Sequence, residues 1–197
     1  MEAALGGLGA GLMQWQGRSW EQLWSPGLSA VALGVGATLP LLLFFHRAMT
    51  TSAGPLLPVR RFLEEHLRPP LRAWSVSQLA LVALLAGLGE ELLFRGAIQG
   101  WAAARWGDAF GLLAAGVLFG AVHGVNIPYA VVAGVMGVYL GLLLEVSGSL
   151  LCPVLTHALY DFLALWWFLS PLYRPLAGAA SASAAPAPEP TDDASKS

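Results

Sequence analysis

Long apolar blocks set the pattern of this chain: about Gly27 to Phe45, Val76 to Ala104, Ala109 to His123, Tyr129 to Val146 and Leu150 to Leu169. A helix needs roughly 20 residues to cross the hydrocarbon of a bilayer, with about 17 to 25 tolerated. The first, fourth and fifth blocks therefore predict membrane-spanning helices directly. The second is overlong, and Gly87, Gly89, Gly96 and Gly100 inside it would allow a tilt or a break. The third is short and ends at a histidine, which predicts a helix that stops within the protein. The fold class expected is all-α, a polytopic transmembrane helical bundle of about five spans with a water-accessible intramembrane cavity. Gly116, Gly120 and Gly124 on the third block, and Gly134, Gly137 and Gly141 on the fourth, are the small residues of close helix contact.

The stretches between these blocks predict the remaining organisation. Residues 1–26 read as an N-terminal interfacial segment: Met1 to Met13 is glycine-rich, with Glu2 where a signal peptide would be basic, and Trp15, Trp20 and Trp24 suit the membrane surface. The first span is expected over 27–46. Residues 47–75 form a basic loop with Arg47, Arg60, Arg61, Arg68 and Arg72 against Glu64 and Glu65, half of the chain's 10 basic residues. The positive-inside rule places this loop in the cytoplasm. Val59 to Leu67, bounded by Pro58 and Pro69, suits a short amphipathic helix on the inner surface. The helical core is expected over 76–170. Residues 171–197, above all the Ala, Ser and Pro rich stretch from Ala177, read as a disordered tail on which nothing catalytic depends.

Composition narrows the class. With 56% hydrophobic and 11% charged residues among 197, and a mean hydropathy of +0.64, the chain is too apolar for an ordinary soluble domain. The net charge of -2 resides in Glu189, Asp192, Asp193 and Lys196, and no basic surface suggests a nucleic-acid partner. Cys152 is the sole cysteine, so no internal disulfide or multi-cysteine zinc site exists, and it reads as a packing residue.

Against this background a few ionisable residues stand out, because charge at bilayer depth is expensive and marks function by default. Glu90 and Glu91 precede Arg95 in the second block. Residues four apart share a helix face, so Glu91 is expected to pair with Arg95 while Glu90 points elsewhere, toward an environment suited to a general base. Phe119 and His123 are four apart on the third block, and His157 and Asp161 on the fifth. An Asp beside a His orients the imidazole. The bland alternatives are an ion-pair clasp and a buried hydrogen-bonded pair between helices.

The ordered motifs, Glu90-Glu91 with Arg95, Phe119 with His123, and His157 with Asp161, resemble the CPBP (Abi) family of intramembrane proteases. That family includes type II CAAX prenyl endopeptidases and bacteriocin-processing or immunity proteins. The resemblance covers about Leu79 to Trp167. It implies a membrane endopeptidase in which Glu90 activates water, His123 assists, and His157 and Asp161 polarise the scissile carbonyl and stabilise its oxyanion, with Glu91, Arg95 and Phe119 in support. Prenyl endopeptidases of the family usually carry Asn where Asp161 stands; an amide donates to an oxyanion and an ionised carboxylate does not.

The resemblance further implies a membrane-associated peptide or protein substrate, no nucleic acid, and an integral protein of a bacterial cytoplasmic membrane. Glu90, His123, His157 and Asp161 offer donors acceptable to zinc, and the family is often called metallo, but no HExxH spacing is present and a metal-free glutamate mechanism fits the same residues. A non-catalytic immunity or scaffold protein, or an ion or proton transporter, would use the same charges otherwise. At ~1.5 Å per residue, Glu90 lies about 21 Å from the inner start of its span and His157 about 10 Å from the outer start of its own, so both fall in the outer half, with His123 nearer the inner side. The resemblance implies instead a site open to the cytoplasm. A conical pocket is expected between the second, third and fifth spans.

Overall fold

A computed structural model describes residues 2–176 of the chain. Those residues form an all-helical bundle, with no strand among them. An N-terminal helix α1 (Glu2–Trp15) and a single turn α2 (Trp20–Leu23) lead to α3 (Leu28–Thr50), the first long apolar helix. A compact excursion follows, made of α4 (Leu57–Phe62), π-helical turns over Leu63–Leu67, and α5 (Arg68–Leu71). Then come α6 (Val76–Glu91), a second π-helical stretch Leu92–Gln99, α7 (Gly100–Trp106), α8 (Asp108–Val122), α9 (Ile127–Ser147) and α10 (Leu151–Leu169).

Local chemistry fixes these boundaries. Ser75 and Gln78 form a capping box at the start of α6, the Gln78 amide donating to Ser75 Oγ at 3.3 Å and the Ser75 amide to Gln78 Oε1 at 2.8 Å. Gly107, at φ +90°, turns the chain between α7 and α8. The Asn126 side chain accepts from the Tyr129 amide to cap α9, whose first turn carries Pro128.

Among the described residues four helices are long and apolar enough to cross a membrane: Leu28–Thr50, the continuous Val76–Trp106, Ile127–Ser147 and Leu151–Leu169. The third apolar block gives the shorter α8, of 15 residues, as its length in the sequence implied. The second block does not break. Its glycines serve close approach instead: Gly87 lies against Ala158 of α10, Gly89 against Gly6, Gly96 against Met13, and Gly100 makes room for the Arg18 guanidinium. In the α8–α9 contact Gly116, Gly120, Gly134 and Gly137 let the two backbones meet.

Two stretches differ from expectation. The N-terminal segment packs one face against the bundle: α1 runs parallel to α6, with Gly6, Gly9 and Met13 meeting Gly89, Leu92–Leu93 and Gly96 in turn, and Met13 is wholly buried. Its glycines, read in the sequence as part of an interfacial segment, are the small residues that a close helix pair requires. Residues 171–176 are not free tail either, since Tyr173 is buried against Phe168 and its hydroxyl donates to Glu64. The remainder of the expected tail, 177–197, lies outside the described residues.

The amphipathic stretch is also more than a surface helix. Its apolar face, Val59 and Leu63, packs with Ala48, Met49, Phe168 and Tyr173 into one core at the Arg-rich end of the bundle. Arg60, counted in the sequence as a surface charge, is buried and donates to Glu64, Tyr173 and the Thr51 and Arg174 carbonyls. Arg68 is buried too and donates to the Phe168 carbonyl at 3.1 Å.

Candidate active site

All the residues singled out in the sequence converge. Glu91 is wholly buried on α6 and its Oε1 takes two partners, Arg95 Nη1 at 3.0 Å and His157 Nδ1 at 2.8 Å. The expected i,i+4 pair with Arg95 is therefore present, but it is only half of the carboxylate's work. Arg95, in the π-helical turns, also donates from Nη2 to the Gly137 carbonyl on α9 at 2.8 Å. One buried carboxylate thus ties α6 to α10, and its guanidinium partner ties the same helix to α9.

Glu90, next in sequence, turns away from this clasp as its helical position requires. It borders the cavity, and its Oε2 lies 3.6 Å from His123 Nε2. His123 caps the end of α8, where its Nδ1 hydrogen bonds with the Phe119 carbonyl at 2.8 Å, fixing the ring. Phe119 stacks on that ring at a centroid distance of 4.4 Å, carries the Arg95 guanidinium over its face at 4.6 Å, and meets His157 edge-on at 6.0 Å. It is the wall between the two carboxylate–imidazole pairs.

His157 has a carboxylate at each ring nitrogen: Glu91 at Nδ1 and, more loosely, Asp161 Oδ2 at 3.4 Å from Nε2. The orientation that spacing assigned to Asp161 is shared with Glu91, which makes the shorter contact. No signal within the chain announced this pair, whose members are 66 positions apart. The short α8 ends at His123, level with Glu90.

A cavity of about 190 Å³ opens beside these groups, lined by Glu90, Phe119, His123, His157 and Asp161. It is bounded not only by the second, third and fifth spans but also by Phe45 and Met49 of α3, Tyr129 and Met136 of α9, and Val59 and Leu63 of the amphipathic cap. From Glu90 it therefore runs toward the Arg-rich end of the bundle. Tyr129 and Tyr160 on its wall carry phenols that the motif reading did not single out; nothing in their spacing separates them from interfacial tyrosines.

The donors do not make a metal cage as they stand. Among the described residues no group of three His, Cys, Asp or Glu side chains is arranged to hold an ion. His157 faces a carboxylate at both nitrogens, and His123 commits Nδ1 to its own helix.

Together these features define a polytopic helical membrane protein that holds a carboxylate and two imidazoles at the end of an apolar-walled cavity. Residues 72–163, which include all three motifs, match the model of the family described as Rce1-like, "Type II CAAX prenyl endopeptidase Rce1-like". Over that stretch the chain is similar to the Rce1-like family, in agreement with the resemblance carried by the motifs, and an intramembrane endopeptidase is the activity that family supports. No curated protein and no solved structure matches the chain.

Proposed function

We propose that the protein is a glutamate-dependent intramembrane endopeptidase in which water held between Glu90 and His123 attacks a peptide carbonyl. The observation that carries this reading is the placement of Glu90 Oε2, 3.6 Å from His123 Nε2 on the wall of a cavity, beside a separately anchored His157. Both side chains border the cavity, so a water molecule there is within reach of the carboxylate and the imidazole. Glu90 takes its proton as hydroxide forms, and the same proton is delivered to the departing amine.

His157 suits the electrophilic role. Its Nδ1 is anchored by Glu91, whereas the looser contact at Nε2 is on the cavity side, so an N–H there can leave Asp161 for the developing oxyanion. Asp161 then acts as a resting partner that holds Nε2 in place until substrate arrives, a task open to a carboxylate though donation to an oxyanion is not. Glu91 and Arg95 support the ring, and Phe119 keeps the two pairs apart. No step is routed through a metal, since no three His, Cys, Asp or Glu side chains among the described residues are arranged to hold one ion.

The cavity runs toward the Arg-rich segment, so by the positive-inside rule its mouth is cytoplasmic. The substrate we infer is a membrane-associated peptide or protein presented from that face, in a bacterial cytoplasmic membrane. Purified chain in proteoliposomes with a library of membrane peptides tests the reading. Cleavage is expected with wild type and none with Glu90→Gln, whereas equal cleavage by the two would remove Glu90 from the mechanism. Replacing His157 by Ala is expected to lower kcat by about 10²- to 10³-fold, the usual cost of an oxyanion donor.

A further inference from the structure

Helix α1 lies outside the segment that matches the family, yet it touches the stretch of α6 that carries both glutamates. A Cβ placed on Gly9 would stand 2.6 Å from the Leu93 amide nitrogen and 2.7 Å from the Leu92 carbonyl carbon, and one on Gly6 would be 3.3 Å from the Gly89 Cα. On the far side, a Cβ on Gly87 would be 2.9 Å from the amide nitrogen of Ala158, the neighbour of His157. The backbone from Gly87 to Leu93 is thus clamped between α1 and α10, with Glu90 and Glu91 inside the clamp.

Arg18 adds a polar contact to this steric one. Its Nη1 donates to the Gly96 carbonyl at 2.7 Å, and the absence of a side chain on Gly100 leaves space for the guanidinium. Gly96 sits within the π-helical turns Leu92–Gln99, which also hold Arg95. Such turns are rare and occur mostly as local bulges, because each accommodates an extra residue. Their phase sets where Arg95 points relative to Glu91, and an outside contact at their centre holds that phase.

We propose that α1, through Gly9 and Arg18, is a positioning element of the site. It keeps Glu91 against His157 and Glu90 facing His123 by fixing the π-helical turns from behind. Neither residue touches the cavity groups directly. The kinetic half of this proposal rests on the hydrolytic reading above; the geometric half does not.

Both halves are tested on the full chain in lipid nanodiscs with Arg18→Ala, Arg18→Lys, Gly9→Ala and, as control, Gly11→Ala, whose added methyl meets nothing within 4 Å. The first readout is the ¹⁵N resonance of His157 Nδ1, assigned by its disappearance in His157→Gln. The Arg18→Ala and Gly9→Ala variants are expected to move it, and Arg18→Lys and Gly11→Ala to leave it near the wild-type position. The second is turnover of a cleaved peptide: kcat is expected to fall about 10- to 100-fold in the first two variants, as for a small misplacement of reacting groups, with KM within about twofold. If the His157 resonance stays put in Arg18→Ala and Gly9→Ala, the proposal is overturned, whatever happens to the melting temperature. If it moves while even wild type cleaves nothing, positioning stands and the hydrolytic reading fails.

Discussion

Glu91 carries the geometry of the site, since one of its oxygens meets both Arg95 and His157 at full burial. Breaking a buried ion pair by removing one partner costs about 3 to 5 kcal/mol, because the other charge is left uncompensated. Glu91→Ala is therefore expected to lower the melting temperature markedly and to abolish turnover, whereas Glu90→Gln abolishes turnover and melts close to wild type; paired thermal and kinetic assays separate the two. The spacing of four residues was enough to read Glu91 with Arg95 and His157 with Asp161, because helix periodicity makes those faces common. It could not reveal Glu91 with His157, a contact between different helices that depends on how α6 and α10 pack.

Among the elements, the cap formed by α4, the π-helical turns and α5 joins the first loop to the chain after α10. Glu64 is its hub, accepting from Arg60, the Tyr173 hydroxyl and the Leu176 amide. Burial first, and then the bond to Glu64, hold the Tyr173 phenol above its ordinary range, with Arg60 opposing. The stability that the neutral phenol contributes is complete below the ordinary value of about 10 and is lost as pH rises through the higher folded value. Melting curves are thus expected to show Tyr173→Phe less stable than wild type at neutral pH, with a shallower decline in alkali. An unchanged melting temperature at neutral pH would show that the cap is held by its apolar face alone. Charge counting in the sequence takes Arg60 and Arg68 for topological signals, and their burial is invisible there because Tyr173 and Phe168, which help to cover them, lie about a hundred residues further on. For α1 the difficulty was of another kind: a helix of glycine, alanine and leucine has no amphipathic stripe, and only its partner α6 explains it.

At the scale of the molecule, the apolar block lengths were sufficient for the all-helical bundle and for the short α8, while the route of the cavity was not. Its walls come from six separate elements, α3, the amphipathic cap, α6, α8, α9 and α10, and no single stretch encodes its direction. The opening toward the Arg-rich end is what the proposed cytoplasmic mouth rests on, and counting residues along straight helices does not give it. Exhaustive chelation is expected to leave turnover within about twofold of the untreated enzyme, because the placed donors do not form a ligand set; loss of activity together with a stoichiometric zinc ion, restored by adding zinc, would replace the metal-free mechanism.

The most direct measurement is the oxygen and cleavage assay of Glu90 itself: proteoliposomes holding wild type or Glu90→Gln are incubated with membrane peptides in H₂¹⁸O, and the products are read by mass spectrometry. Wild type is expected to yield a new peptide carboxylate bearing ¹⁸O, and Glu90→Gln at least about 10²-fold less of it, in line with loss of a general base. Equal labelled product from both proteins, or none from either across the library, would contradict water activation by Glu90.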